Sequence, residues 1–202
     1  MTIENNRILT RRGVLTPAFV LVLAFGATVA GWAQSTAPKS ASPTHKPAHS
    51  AELPLIDLSG YQQLLAKYRG KPLVVNFWAT WCEPCRDEYP MIVDLAKQFK
   101  PQGVEVVGVD MDDESDMNLV RRFVARTMPT FPNYRQKPGI DLDGFYNGVN
   151  PQWKGTMPQT IFYGRDGKII GFFLGSRPKE QFEQAFRATL GGSAGGTSSG
   201  GK

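Results

Sequence analysis

The sequence predicts an α/β domain in which a mixed central β-sheet is flanked by helices on both faces. Three observations carry that expectation. A continuous apolar run, "PLVVNFWA" (72–79), and a second valine-rich segment, "VEVVGVD" (104–110), read as buried strands. The segment after each of them places its apolar residues at helical spacing. A last pair of apolar runs, in "QTIFYGRDGKIIGFFLG" (159–175), is broken only at Arg165-Asp166-Gly167, which reads as a hairpin turn. Strands joined through helices pair in parallel and a hairpin pairs antiparallel, so the sheet is mixed.

Taken in order, "GYQQLLAKYR" (60–69) reads as a short helix ahead of the first buried strand. A longer helix opens at Cys82 and runs to about Lys100, with Met91, Ile92, Leu95, Ala96 and Phe99 recurring at helical spacing. Pro90 inside it removes one backbone donor and predicts a kink. After the second strand, "DMNLVRRFVART" (116–127) gathers Leu119, Val120, Phe123 and Val124 on one helical face. Residues 128–158 read as irregular. "PKEQFEQAFRATL" (178–190), with Pro178 near its first turn, closes the domain as a helix. The expected order is α, β, α, β, α, β, β, α, with Phe77, Phe162, Phe172 and Phe173 in the core.

The flanks differ from this middle. "MTIENNRILTRR" is a basic leader to an uncharged stretch reaching "GWAQ", which places small residues before a cleavage point after about Ala33. Residues 1–33 therefore read as an export signal or, if uncleaved, as an N-terminal membrane anchor, since 14–33 approaches the roughly 20 apolar residues of a spanning helix. Arg11 and Arg12 keep the leader's start cytoplasmic and send the domain outward. "TRRGVL" also resembles a twin-arginine signal, although any such leader needs positive charge. Residues 34–54 form a Pro/Ala/Ser linker and 191–202 a Gly/Ser tail, neither able to bury enough surface to order itself. The formal charge is +5, yet residues 55–190 hold 17 Lys/Arg against 16 Asp/Glu. The basic excess belongs to the flanks, which argues against nucleic acid as a partner.

The chain has two cysteines, Cys82 and Cys85, within "NFWATWCEPCRDEYP". A structural zinc site wants four Cys/His ligands. The only histidines, His45 and His49, lie in the linker, so no metal is expected. Copper delivery would want a His or Met beside the thiols, and residues 55–190 hold no His. A stapling role is poor as well, because a two-residue loop restricts the unfolded chain very little. Electron exchange fits the surroundings. A Cys-X-X-Cys at a helix start, after a buried strand, exposes the first sulfur and aims helix-end N–H groups at it, which favours its thiolate. The redox-active disulfide would itself serve in place of a cofactor.

"VVNFWATWCEPCRDEYP" resembles the active-site segment of the thioredoxin-like superfamily, in particular the TlpA/ResA/CcmG type, and the likeness extends over roughly residues 52–190. Met157-Pro158 ahead of the hairpin is similar to that family's cis-proline loop. Asn76 stands where cytoplasmic thioredoxins carry a buried Asp, and Glu88 matches an acidic residue placed near the dithiol in ResA-like members. The resemblance implies a thioredoxin fold and an extracytoplasmic, periplasmic thiol–disulfide oxidoreductase. Cys82 would attack, Cys85 would resolve, and Glu88, one turn past Cys85, would exchange a proton with it. Asp87 points about a quarter turn away from Glu88. Trp81, Met157 and Pro158 would meet the substrate. "TMPT" (127–130) offers Pro129 as a rival, but no strand follows it.

Glu83 and Pro84 lie between the cysteines and tune them. A carboxylate beside Cys82 disfavours its thiolate, which opposes the helix-end effect and points to a reductant rather than an oxidant of the DsbA type. The implied partners are disulfide-bearing exported proteins, apocytochrome c among them, and a membrane thiol donor. Two other readings remain. A thiol peroxidase of the peroxiredoxin type shares the fold but has Thr three residues before its cysteine, where this chain has Ala79. The other is a redox-inert binding module on the same fold. "DMDDESD" (110–116) reads as a solvated connection carrying an N-cap for the next helix. The stretch 135–155 is expected to shape the substrate groove, with Tyr146 and Trp153 as its candidates.

Overall fold

In the computed structural model, which describes residues 53–191, the chain runs β1 (Leu55–Ile56), α1 (Leu58–Lys67), β2 (Leu73–Trp78), α2 (Glu83–Phe99), β3 (Glu105–Asp110), α3 (Met117–Thr127), β4 (Asn133–Gln136), α4 (Leu142–Val149), β5 (Gln159–Tyr163), β6 (Ile169–Leu174) and α5 (Lys179–Gly191). The expectations for the leader, for the linker up to residue 52 and for the tail from 192 lie outside the described residues. One six-stranded sheet has the order β1-β4-β3-β2-β5-β6. The pairs β1·β4, β4·β3 and β3·β2 are parallel, and β2·β5 and β5·β6 antiparallel. This is the mixed sheet that the strand signals predicted.

The sequence dictates the central position of β2. All six of its residues are buried, so both faces must be covered. Alternation along the strand sends Leu73, Val75 and Phe77 to one face and Val74, Asn76 and Trp78 to the other. Phe77 packs with Tyr61, Phe145 and Trp153. Val74 joins Ile92, Leu95 and Phe99 of α2 and Phe182 and Phe186 of α5 in a second core. Phe172 and Phe173 on the edge strand β6 are only half-buried, because one side of an edge strand has no neighbour. The helix α2 continues through Pro90.

Three elements were not legible: the two-residue strand β1, too short to carry a pattern, and β4 and α4. Within the stretch read as irregular, residues 133–136 form β4 and residues 142–149 form α4. β4 ("NYRQ") lacks an apolar run because its buried side chains are polar and individually partnered. Asn133 accepts from the Trp78 indole at 3.1 Å and the Tyr89 hydroxyl at 2.8 Å, Arg135 meets Glu114 at 2.8 Å, and Gln136 donates to the Met111 carbonyl at 3.2 Å. In α4 ("LDGFYNGV") the glycines look like breakers, yet Gly148 is where α1's neighbourhood closes in. A Cβ there would sit 2.5 Å from Leu58 Cδ2. Tertiary packing overrides propensity in both cases. No helix among the described residues is long and apolar enough to cross a membrane.

Candidate functional site

The parallel strands β2 and β3 end at Trp78 and Asp110, which are paired in register. Because β5 is antiparallel to β2 and pairs Gln159 with Phe77, the residue before β5, Pro158, lies at that same end of the sheet. Three segments far apart in sequence therefore converge: 79–88, 110–112 and 157–158.

Cys82 and Cys85 are joined in a disulfide. Cys82 is the N-cap of α2 in extended backbone, and its Sγ accepts the Cys85 backbone N–H at 3.3 Å. Pro84 occupies the first turn, where a missing N–H costs nothing. The first sulfur was expected to be exposed, but Cys82 is 5% exposed and Cys85 2%. The opening to solvent is the small part of Cys82 that stays exposed, and its neighbours in the chain are Trp81, 60% exposed, and the exposed Glu83 and Pro84. The Met157-Pro158 peptide bond is cis, as expected. Pro158 is buried, its carbonyl accepts the Gly175 N–H at 2.8 Å, and Met157 is half-buried beside it.

Glu88 is buried on the face of α2 that also carries Cys85, whereas Asp87 is exposed. Its carboxylate receives only long hydrogen bonds, from Asn76 Nδ2 at 3.5 Å and the Arg177 N–H at 3.4 Å. Burial pushes its pKa up to about 7, outweighing Ser176, Arg177 and Asn76, which pull it down. A carboxyl group held there can carry a proton at neutral pH and also give it up. Asn76 donates a better bond to Thr160 Oγ1, at 2.9 Å, tying β2 to β5 under the site.

Two expectations are corrected here. The acidic run 110–116 is not simply solvated: Asp110 and Asp112 are fully buried. Asp112 takes the Thr80 N–H at 2.6 Å and the Thr80 hydroxyl at 2.5 Å, and the Asp112 N–H donates to Asp110 Oδ1 at 3.2 Å. Asp112 thus fixes the backbone two residues before Cys82 and is a positioning residue the sequence reading missed. Asp116 does cap the following helix by position, but its side chain makes no capping bond. The second correction concerns Trp153, which lies in the core against Phe77 and Tyr146, not in a groove. Its indole donates to the Thr156 carbonyl at 2.7 Å, so it holds the turn leading into Met157-Pro158 from behind. Tyr146 is half-buried beside it.

Burial, followed by the adjacent Asp112 carboxylate, pushes Asp110 up to about 9. The folded chain therefore keeps a proton that the unfolded chain releases near pH 4, and the associated stability is lost as pH rises towards 9. Asp110→Asn keeps the Oδ1 acceptor without the charge. Thermal denaturation should show it more stable than the parent at pH 8–9, with the gap closing near pH 4. A gap independent of pH would show that Asp110 is already neutralised by other means.

Among the described residues no group of three or more His, Cys, Asp or Glu could hold a metal ion. The comparisons with known proteins agree with the geometry. The model of the AhpC/TSA family matches residues 44–171. The thiol-disulfide oxidoreductase ResA of Bacillus thuringiensis strain Al Hakam is 36% identical over 127 residues, 63% of this chain and 68% of that protein. ResA of Bacillus subtilis strain 168 is 30% identical over 173 residues, 86% of this chain and 88% of that protein. Among solved structures, a thioredoxin-family thiol:disulfide interchange protein from Chlorobium tepidum is 27% identical with a TM-score of 0.54, covering 62% of this chain and 83% of that one.

Proposed function

Since the chain belongs to the AhpC/TSA family, with the sheet order and dithiol of a thioredoxin fold, we propose that it is an exported thiol–disulfide oxidoreductase that reduces disulfides in other exported proteins. One observation carries this reading. The chain's two cysteines form a disulfide at the N-terminus of α2, with a buried carboxyl of pKa about 7 on the same helix face.

In the reduced protein the Cys82 thiolate attacks one sulfur of a substrate disulfide, and the other substrate sulfur leaves as a thiolate. The Cys85 thiol passes its proton to Glu88 and attacks Cys82 Sγ. The second substrate sulfur departs, Cys82–Cys85 is oxidised, and the substrate has gained two electrons. An extended substrate segment would lie beside the dithiol along the Met157-Pro158 loop. Trp81 and Met157 border its path. A membrane thiol donor would return the dithiol to its reduced form, and apocytochrome c is one class of client. The leader at 1–33 would deliver the domain 55–190 to the periplasm, cleaved or retained as a tether, on the linker 34–54.

The thiol-peroxidase reading is disfavoured locally. The position three residues before Cys82 is Ala79, fully buried and without a hydroxyl, and the hydroxyl of Thr80 is already bonded to Asp112.

The direction of electron flow is tested by titrating the purified chain against a dithiol couple. A potential near or below about −230 mV, in the range of thioredoxin and glutaredoxin, is expected of a reductase. A value near the −120 mV or so of DsbA would reverse the direction, making the protein an oxidant of exported thiols.

A further inference from the structure

Beside the dithiol, α2 and α3 enclose a groove that the exchange chemistry leaves unused. One concavity of about 420 Å³ is lined by Thr80, Arg86, Leu119, Arg122, Phe123 and Arg126. Arg86, Phe123 and Arg126 also line a second, of similar volume, which continues between the helices past Pro90 and Lys97. The two form one channel that begins at the loop holding Cys82.

Its charge is one-sided. Arg86, Arg122, Arg126 and Lys97 face a single acid, Asp94, which Lys97 already meets at 3.8 Å. None of the three arginines makes an ion pair among the described residues. Arg86 donates to the Thr80 carbonyl at 3.2 Å, and the Arg126 guanidinium lies over the Phe123 ring at 5.6 Å. Residues 55–190 are close to neutral overall, so this is a local concentration and not a share of a general basic surface. Arg122 and Arg126, one turn apart on α3 with the Arg126 guanidinium over an aromatic ring, suit carboxylates arriving on a chain. Apolar groups accompany them: Leu119, in the lining, is 46% exposed, and Met128, outside the lining but next in the chain to Thr127, is 60% exposed.

We infer that this groove binds an acidic, partly apolar segment of the disulfide-bearing substrate protein and so selects clients whose reactive cysteine lies near such a segment. The inference rests on the reading of Cys82–Cys85 as an exchange centre for its role in catalysis, but the binding itself can be measured without it. Charge complementarity gives the occupant's sign. The exposed apolar side chains and the position next to the opening at Cys82 give its nature, a protein segment that also presents a disulfide.

The test uses the oxidised full chain and a labelled, cysteine-free peptide with glutamates on either side of a leucine, compared with its glutamine counterpart by fluorescence anisotropy. At low salt the glutamate peptide should bind about tenfold tighter, as expected of a few partly exposed ion pairs. The advantage should shrink as salt rises and vanish in the double variant Arg122→Gln/Arg126→Gln, with circular dichroism confirming that the fold persists. Equal binding of the two peptides, or a preference that survives the double substitution, overturns the inference. So does displacement of the peptide by a single-stranded oligonucleotide at lower concentration than the unlabelled peptide itself, which would assign the groove to nucleic acid. Reduction of hydroxyethyl disulfide by the reduced parent chain, run separately, judges the exchange activity. Its absence would remove that reading and leave the binding result standing.

Discussion

Cys82→Ser removes disulfide-reductase turnover, while Cys85→Ser retains the first attack and accumulates a mixed disulfide between Cys82 and its substrate. The asymmetry follows from where the two sulfurs lie. Cys82 caps α2, so the helix's free N–H groups and positive end bear on its sulfur and stabilise the thiolate. It also provides the opening to solvent, next in the chain to Trp81. Cys85 lies one turn further in and is the more buried of the two. A serine at either place cannot act as a thiolate near neutral pH. Loss of the nucleophile should therefore cost at least about a thousandfold in kcat/KM, given that removing a catalytic nucleophile costs up to about a millionfold elsewhere. Non-reducing electrophoresis of each variant after incubation with a disulfide peptide separates the roles. A trapped adduct in Cys82→Ser but not in Cys85→Ser would interchange the assignments. A chain whose partner affinity survives Cys82→Ser with no exchange activity in the parent would be the redox-inert binding module.

The parts of the site that sequence revealed are those whose constraint is local. Two cysteines, a buried strand before them and a helical period after them all lie within one stretch of chain, and Pro158 is marked by the hairpin that begins at the next residue. Glu88 was reachable because i, i+3 spacing places it with Cys85. What sequence hid depends on which distant segments meet. Nothing in "DMDDESD" says that Thr80 lies above its third residue, because that contact exists only once β3 pairs with β2 in the observed register. A signal was present nonetheless: Asp110 ends a buried strand, and Asp112, two residues on, continues the same alternation inward. β4 stayed hidden because its burial is satisfied by individual hydrogen bonds in place of apolar area. The arginines of the groove were visible as residues, but a sum over residues 55–190 cancels them against acids on other surfaces. The net charge of a domain says little about any one of its faces.

Glu88→Gln should slow resolution of the mixed disulfide by about a hundredfold at pH 7–8, the lower range of what a positioned proton acceptor supplies. The carboxyl group shares the buried face of α2 with Cys85 and in the proposed mechanism takes its proton; with a pKa of about 7 it is half-ionised near neutrality and close to the ordinary thiol range of about 8.5. Resolution in the parent should accordingly rise with pH through about 7, and the glutamine variant should lack that limb, keeping only the rise due to the thiol itself. A structural role would move the rate without moving the profile, so stability supplies the independent check. The folded-state pKa of Glu88 lies above its usual value of 4.5, so the folded chain holds a proton that the unfolded chain has given up. The stability linked to that proton is fully present below pH 4.5 and is lost as pH climbs through 7, by at most about 3 kcal/mol. Glutamine has no such proton to lose. The variant should match the parent near pH 4, exceed it at pH 8, and be slower throughout the upper range, a combination of gained stability and lost rate that a packing defect does not produce. If the variant is instead less stable by the same amount at every pH and keeps the parent's pH–rate limb, Glu88 is a buried spacer and another group accepts the Cys85 proton.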